Sequence, residues 1–161
     1  MSAERHMLTI DQVKAGDVVP AFTVDVSATT VVLGALASRD WRPMHHDKDF
    51  AVQRNGVKDI FLNTPAQAAW FERYITDWTG PAGRLGRMKF RMKDSVFAGD
   101  RMVFRGVVEK VETDATGCSW VDVALSLKVG EKLVTSCAAR VAIPANASDN
   151  PWKRRGENWK P

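Results

Sequence analysis

The segment from Thr64 to Trp78 restricts what this chain can fold into more than any other, because it spells a helix apolar around most of its circumference. Thr64-Pro65-Ala66-Gln67 reads as a capping box, with Thr64 at the cap, Pro65 at the first helical position and Gln67 three residues on from the cap. Ala68, Phe71, Ile75 and Trp78 succeed one another at helical spacing, and Trp70 and Tyr74 widen their stripe. Gly80-Pro81 stops the helix. In a chain of 161 residues, long enough for one domain with its own core, such a helix has to be wrapped rather than docked by one face.

The residues after Gly80-Pro81 supply the wrapping. Met88, Phe90 and Met92 alternate with Lys89, Arg91 and Lys93. Ala98-Gly99-Asp100 turns the chain into a strand over 102–112, and Asp114-Ala115-Thr116-Gly117 turns it again. Val121 to Val129 alternates apolar with polar, Gly130-Glu131 makes the last turn, and Leu133 to Ile143 runs out to Pro144. Upstream, Ala21–Ser27 reads as a strand, Thr29 or Thr30 caps a short helix running to about Ser38, and Asp49–Arg54 makes another helical turn. Long strands with a turn about every dozen residues make an antiparallel meander with one face buried. The class is α+β, and a sheet curled around one apolar helix is the hot-dog arrangement. Residues 1–144 form that single domain, and residues 145–161 form a polar, basic tail in which Trp152 and Trp159 are docking points on this or another subunit.

Composition removes several function classes. The net charge is +4, and the tail contributes Lys153, Arg154, Arg155 and Lys160 against Asp149 and Glu157, so the body is too weakly basic for nucleic acid. Cys118 and Cys137 sit in apolar strand-like segments without paired-cysteine spacing and read as free buried thiols. No metal-ligand motif, G-x-G-x-x-G or P-loop is present, so neither a metal nor a nucleotide cofactor is expected. No signal-peptide core succeeds Met1–His6, and the longest apolar run, Val31 to Ala37, is too short to span a bilayer. A cytoplasmic protein without membrane association is the expectation.

The chemistry concentrates in Asp40-Trp41-Arg42-Pro43-Met44-His45-His46-Asp47, which holds two of the three histidines. Histidine exchanges protons near neutral pH, and a neighbouring carboxylate orients and tunes it. A spacing of five does not stack Asp40 and His45 on one helical face, and Pro43 biases Arg42 away from helix. The segment therefore leaves a helix and enters a loop that either folds Asp40 and His45 to one point or leaves them solvated. Spacing alone leaves both readings open. Asp47 reads as a residue that holds the loop through a backbone hydrogen bond.

With this segment and the element order together, residues 8–143 resemble the MaoC-like dehydratase family, the (R)-specific enoyl-CoA hydratases with a hot-dog fold. Their motif, approximately Asp-x-Asn-Pro-(Ile/Leu/Met)-His-x-Asp, is matched at Asp40, Pro43, Met44, His45 and Asp47. Ala51, Gly56 and the Gly99-Asp100 turn also fall where the family places such residues. The chain departs from the family pattern at two places. Arg42 replaces the Asn of the motif, and Leu62-Asn63-Thr64-Pro65 stands where many relatives carry His-Gly at the start of the central helix.

The resemblance implies that Asp40 and His45 activate water for addition to a 2-enoyl-CoA thioester, or catalyse the reverse dehydration. It also implies an oxyanion hole at the helix start, for which the N–H of Asn63 or Thr64 is available and Pro65 has none. Met44, Phe61 and Leu62 would line the substrate, the last two as walls of an acyl tunnel, and His46 either lines it too or is solvated or bonded to backbone. Coenzyme A enters only as part of the substrate, and Lys89, Arg91 and Lys93 are either a solvated face or contacts to its phosphates. Hot-dog proteins pair with their sheets edge to edge, which implies a homodimer or a heteromer with a second hot-dog subunit. Some members acting on CoA thioesters of bulky steroid side chains are heteromers in which one subunit carries the Asp/His pair. This chain would be that catalytic subunit. Two competitors remain: a hot-dog thioesterase, whose acid would sit on the long helix, where Glu72 and Asp77 lie too far from the helix start to align with a thioester carbonyl, and a non-catalytic partner subunit.

Overall fold

The computed structural model describes residues 7–161, so the reading of Met1–His6 lies outside the described residues. Five strands form one antiparallel sheet in the order β1-β3-β4-β5-β2. They are β1 (Val18–Asp25), β2 (Arg84–Met92), β3 (Arg101–Thr113), β4 (Ser119–Val129) and β5 (Lys132–Ala142). Three helices precede β2: α1 (Ala28–Ala37), α2 (Lys48–Asn55) and α3 (Thr64–Thr79). The fold is α+β, a hot-dog sheet curved around α3.

The alternation read from sequence is what curves the sheet over its helix. Met102, Phe104 and Val108 of β3, Val121, Val123, Leu125 and Leu127 of β4, and Cys137, Ala139 and Val141 of β5 are all buried. Phe71 of α3 meets Phe104 edge-on, with ring centroids 5.1 Å apart. The Tyr74 hydroxyl donates to the Val19 carbonyl at 3.2 Å, tying the helix to β1. Truncating Phe71 would cost about 3–5 kcal/mol, the usual penalty for an aromatic cavity. Pro20 sits where β1 shifts register against β3, on an edge strand that tolerates a missing ladder donor.

Three local readings change. α3 is capped by Asn63, whose side chain accepts from Ala66 N, and Thr64 is already helical. Asn is as strong a cap as Thr, and here its carbonyl has the geometry. α1 is capped by Ser27 in a capping box with Thr30, one turn before the expected threonines. Trp78 and Ala68 are only half-buried, while Gln67 is fully enclosed with its Oε1 accepting from Thr135 Oγ1 at 2.8 Å. The sheet therefore covers one face of α3 and leaves part of the other to α1 and solvent.

The segment after Pro144 folds back onto the outer face of the sheet. Trp159 packs on the fully buried Trp120, and the Arg84 guanidinium lies 3.6 Å from the Trp159 ring centroid. Arg154 donates to the carbonyls of Thr116 and Gly117. Both cysteines are free and buried; burial pushes the Cys137 thiol up to about 12.

Candidate active site

Asp40 owes its position to the way α1 ends. Arg39 adopts φ +51°, a left-handed conformation that favours glycine, and lets the Asp40 N–H bond back to Ala35 O at 2.9 Å. The Arg39 N–H bonds to Leu36 O at 3.0 Å, completing a Schellman-type exit. Pro43–His45 then makes one tight turn. Its fixed proline dihedral carries His45 back toward the helix end. The loop folds Asp40 and His45 to one point.

His45 Nε2 lies 3.5 Å from Asp40 Oδ2. The imidazole is 2% exposed, its face meets the Phe61 ring edge-to-face at 4.9 Å, and Nδ1 lies 2.7 Å from the Phe61 carbonyl. A carbonyl oxygen only accepts, so Nδ1 carries a proton, and the neutral form of His45 presents its lone pair on Nε2. That lone pair and the Asp40 carboxylate face each other as two acceptors. A water molecule seated to one side of the two, with two O–H donors, can bond both.

Asp40 is the more heavily held of the two. Arg42 donates from Nε to Oδ1 and from Nη2 to Oδ2, both at 2.8 Å, and Asn63 Nδ2 donates to Oδ2 at 3.0 Å. The Arg42 guanidinium, then the Asn63 amide, hold the Asp40 carboxyl well below the usual carboxylate range, against the opposing effect of burial. Asp40 therefore stays ionised across the neutral range, which leaves His45 as the group able to exchange a proton. The substitution of the motif's Asn by Arg has a structural consequence: an exposed cation clamps the carboxylate.

Asn63 joins the two halves of the site. Its Oδ1 caps α3 while its Nδ2 donates to both Ser38 Oγ, at 2.8 Å, and Asp40. Ser38 in turn bonds back to Gly34 O at the end of α1. Sequence reasoning named only the Asn63 N–H and missed Ser38 altogether. Asn before Thr-Pro is a legible cap, whereas nothing local to Ser38 announces its contact with a residue 25 positions on. At the start of α3, Pro65 has no N–H, Ala66 N is bound by Asn63 and Gln67 N by the Asn63 carbonyl. The N–H groups of Asn63 and Thr64 have no protein acceptor among the described residues.

The expected lining residues separate. Phe61 supports His45 through its carbonyl and ring and is itself braced by Phe97 at 5.9 Å. Met44 is half-buried, and its sulfur accepts a long contact from Asn55 Nδ2 at 3.9 Å. His46 is exposed and its ring makes no hydrogen bond among the described residues, so the structure does not bring it to the pair. Leu62 is fully buried in the core, its N–H bonded to Val96 O, because the strand-like entry to α3 turns it inward. Asp47 accepts from Phe50 N at 3.0 Å and caps α2. Glu72 and Asp77 are exposed, Asp77 beside Arg73, and neither reaches the start of α3. Lys89, Arg91 and Lys93 are exposed.

Among the described residues no cluster of three or more His, Cys, Asp or Glu side chains could hold a metal, and no helix is long and apolar enough to cross a membrane.

No family model matches the chain. The beta subunit of 3-oxo-4,17-pregnadiene-20-carboxyl-CoA hydratase from Mycobacterium tuberculosis is 38% identical over 96 residues, which cover 60% of this chain and 74% of that protein. A solved structure from the ChsH1–ChsH2 complex of the same organism superposes with a TM-score of 0.74 at 28% identity, covering 81% of this chain and 98% of that one. The (R)-hydratase from A. caviae involved in PHA biosynthesis superposes with a TM-score of 0.73 over 82% of this chain and 98% of that one; at 19% identity it shows the shared fold alone.

Proposed function

The chain belongs to the MaoC-like dehydratase and (R)-hydratase family, and on that premise we propose that it adds water to 2-enoyl-CoA thioesters, or removes it in the reverse direction. The observation that carries this reading is the His45 Nε2 lone pair set 3.5 Å from Asp40 Oδ2, with Nδ1 engaged by a carbonyl.

Water held between Asp40 and His45 gives a proton to Nε2 as its oxygen bonds to C3 of the enoyl group. Electron density moves through C2 to the thioester oxygen, which the free N–H groups of Asn63 and Thr64 at the positive end of α3 receive. The imidazolium, stabilised by the ionised Asp40, then returns its proton to C2. The product is the 3-hydroxyacyl thioester, with water's hydrogen and hydroxyl both accounted for. Coenzyme A is carried by the substrate, and the chemistry needs no further cofactor.

A partner hot-dog subunit belongs to the same proposal. β2 lies at one edge of the sheet, and the relatives include a protein named as a beta subunit and one solved within a two-component complex. Pairing along β2, with a second copy or a different hot-dog chain, would continue the sheet. The thioesterase alternative draws no support from Glu72 or Asp77, which stay at the surface.

Incubating the purified protein with crotonyl-CoA and with bulkier enoyl-CoAs tests the assignment. Loss of the conjugated-thioester absorbance without thiol release is the expected result. Thiol release would replace hydration by hydrolysis. Silence on every acyl group would leave the partner-subunit reading.

A further inference from the structure

The two members of the reactive pair take their positions from different helices. Asp40 leaves α1 with its N–H bonded back to Ala35 O, so it moves with the C-terminal end of that helix. His45 is held from the entry of α3: its Nδ1 lies 2.7 Å from the carbonyl of Phe61, two residues before the Asn63 cap. The N–H groups of Asn63 and Thr64 belong to the same entry. The alignment of Asp40 with His45 and with those N–H groups therefore tracks the spacing of α1 and α3.

That spacing has its minimum at one crossing. Gly34 of α1 meets Ala66 of α3 so closely that a Cβ on Gly34 would lie 2.9 Å from Ala66 Cβ. Glycine weakens a helix interior relative to alanine, so local propensity favours alanine at this position and only the crossing excludes it. One turn further along α1, Ser38 Oγ donates to Gly34 O and accepts from Asn63 Nδ2, both at 2.8 Å. The same Nδ2 donates at 3.0 Å to Asp40 Oδ2, the oxygen that faces His45 Nε2. The Asn63 amide cannot turn round, because its Oδ1 is engaged by Ala66 N and a reversed amide would aim oxygen at the carboxylate.

We propose that the Gly34–Ala66 crossing positions Asp40 for the reaction. By letting α1 and α3 meet with no Cβ between them, it keeps Ser38 and Asn63 bonded and so fixes the carboxylate against the imidazole. Gly34, Ser38 and the Asn63 side chain are positioning residues that act through Asp40. The effect on turnover rests on the hydratase reading; the hold on the carboxylate does not. A Cβ at position 34 reaches ordinary contact, 3.4 Å or more, only if the helices part. A misplacement of about 1 Å costs a positioned group about 10²-fold, so a smaller parting should cost about tenfold.

Three variants test this: Gly34→Ala, the double variant Gly34→Ala/Ala66→Gly, and Asn63→Ser, each checked for folding by thermal unfolding. The double variant removes the Cβ that the new one would strike. Asn63→Ser keeps a good helix cap and removes the amide donor. The readouts are kcat and KM on the enoyl-CoA turned over best, and the titration of the Asp40 carboxyl by carbon-13 NMR, which needs no activity. Gly34→Ala is expected to lower kcat by about tenfold or more with KM within about twofold. It should also raise the pH at which Asp40 titrates, because the Asn63 donor retreats. The double variant should recover most of both losses, and Asn63→Ser should reproduce them. A wild-type kcat or an unmoved Asp40 titration in folded, active Gly34→Ala would overturn the proposal, as would a double variant no better than the single one. If Gly34→Ala does not fold, Asn63→Ser with a wild-type kcat and titration would overturn it equally. A titration that moves and recovers in a protein that hydrates no enoyl-CoA would keep the crossing and remove the hydratase reading.

Discussion

Asp40 and Asp114 are two carboxylates held well below their ordinary range, and only one of them faces anything reactive. Asp114, just after β3, accepts from the Thr116 hydroxyl at 2.6 Å, from the N–H groups of Thr116 and Cys118, and from Trp120 Nε1 at 2.8 Å. Every donor is local and structural, and Trp120 is in turn covered by Trp159. Asp40 accepts from an exposed Arg42 and from Asn63, and its remaining side looks onto an imidazole lone pair that has no hydrogen to donate. A depressed carboxyl pKa therefore does not mark a catalytic group. What distinguishes Asp40 is the unfilled acceptor opposite it.

The largest expected contrast is in rate. His45→Ala and Asp40→Ala should each lower hydration turnover by about two orders of magnitude or more, the usual worth of a positioned acid–base group. Asp114→Ala should leave turnover per folded molecule near wild type. Equal losses from Asp40→Ala and Asp114→Ala, measured by steady-state kinetics on folded protein, would erase the distinction.

The contrast reverses in stability. Asp114→Ala leaves the buried Trp120 Nε1 and Cys118 N–H without an acceptor and should cost about 2–4 kcal/mol in urea unfolding. Asp40→Ala frees an exposed Arg42, while Asn63 Nδ2 keeps Ser38, so its cost should stay under about 1 kcal/mol.

Acid sharpens the same comparison. Both carboxyls have folded values below their unfolded ones, so each contributes stability that is complete above the unfolded value, about 3.9, and lost as pH falls toward the folded value. Asp114→Asn should flatten the acid side of the stability profile below about pH 4. Arg42→Ala removes the main cause of the Asp40 depression, so the Asp40 carboxyl itself, followed by carbon-13 NMR, should titrate at higher pH. Stability at neutral pH should change by less than about 1 kcal/mol, because the Arg42 side chain is 63% exposed. A carboxyl titration that stays in place would mean that Arg42 does not govern Asp40.

The smallest effect concerns the loop geometry alone. Arg39→Gly relieves a left-handed non-glycine residue and should add about 0.5–1 kcal/mol to stability without altering turnover. A loss of turnover there would show that the strain at the end of α1 holds Asp40 in place.

Much of the fold was legible in the chain. The apolar α3 and the alternating strands each have a period of their own, so the wrapped helix and the meander could be read, with strand ends off by a few residues. The proline between Asp40 and His45 announced a loop. The Asn63 cap could have been read and was assigned one residue late, because Thr-Pro offered an equally good local signal. The burial of Leu62 was not legible either: an apolar residue before a helix carries no label saying which way it faces.

Composition and periodicity thus determined the class, the central helix and the Asp/His segment, because those depend on interactions between residues a few positions apart. The link from Ser38 through Asn63 to Asp40, the Phe61 carbonyl that sets the His45 tautomer and the clamp of Arg42 were decided only by tertiary structure. Most join segments distant in the chain, and all require directions in space: a hydrogen bond depends on where two groups point, which no spacing along a sequence records.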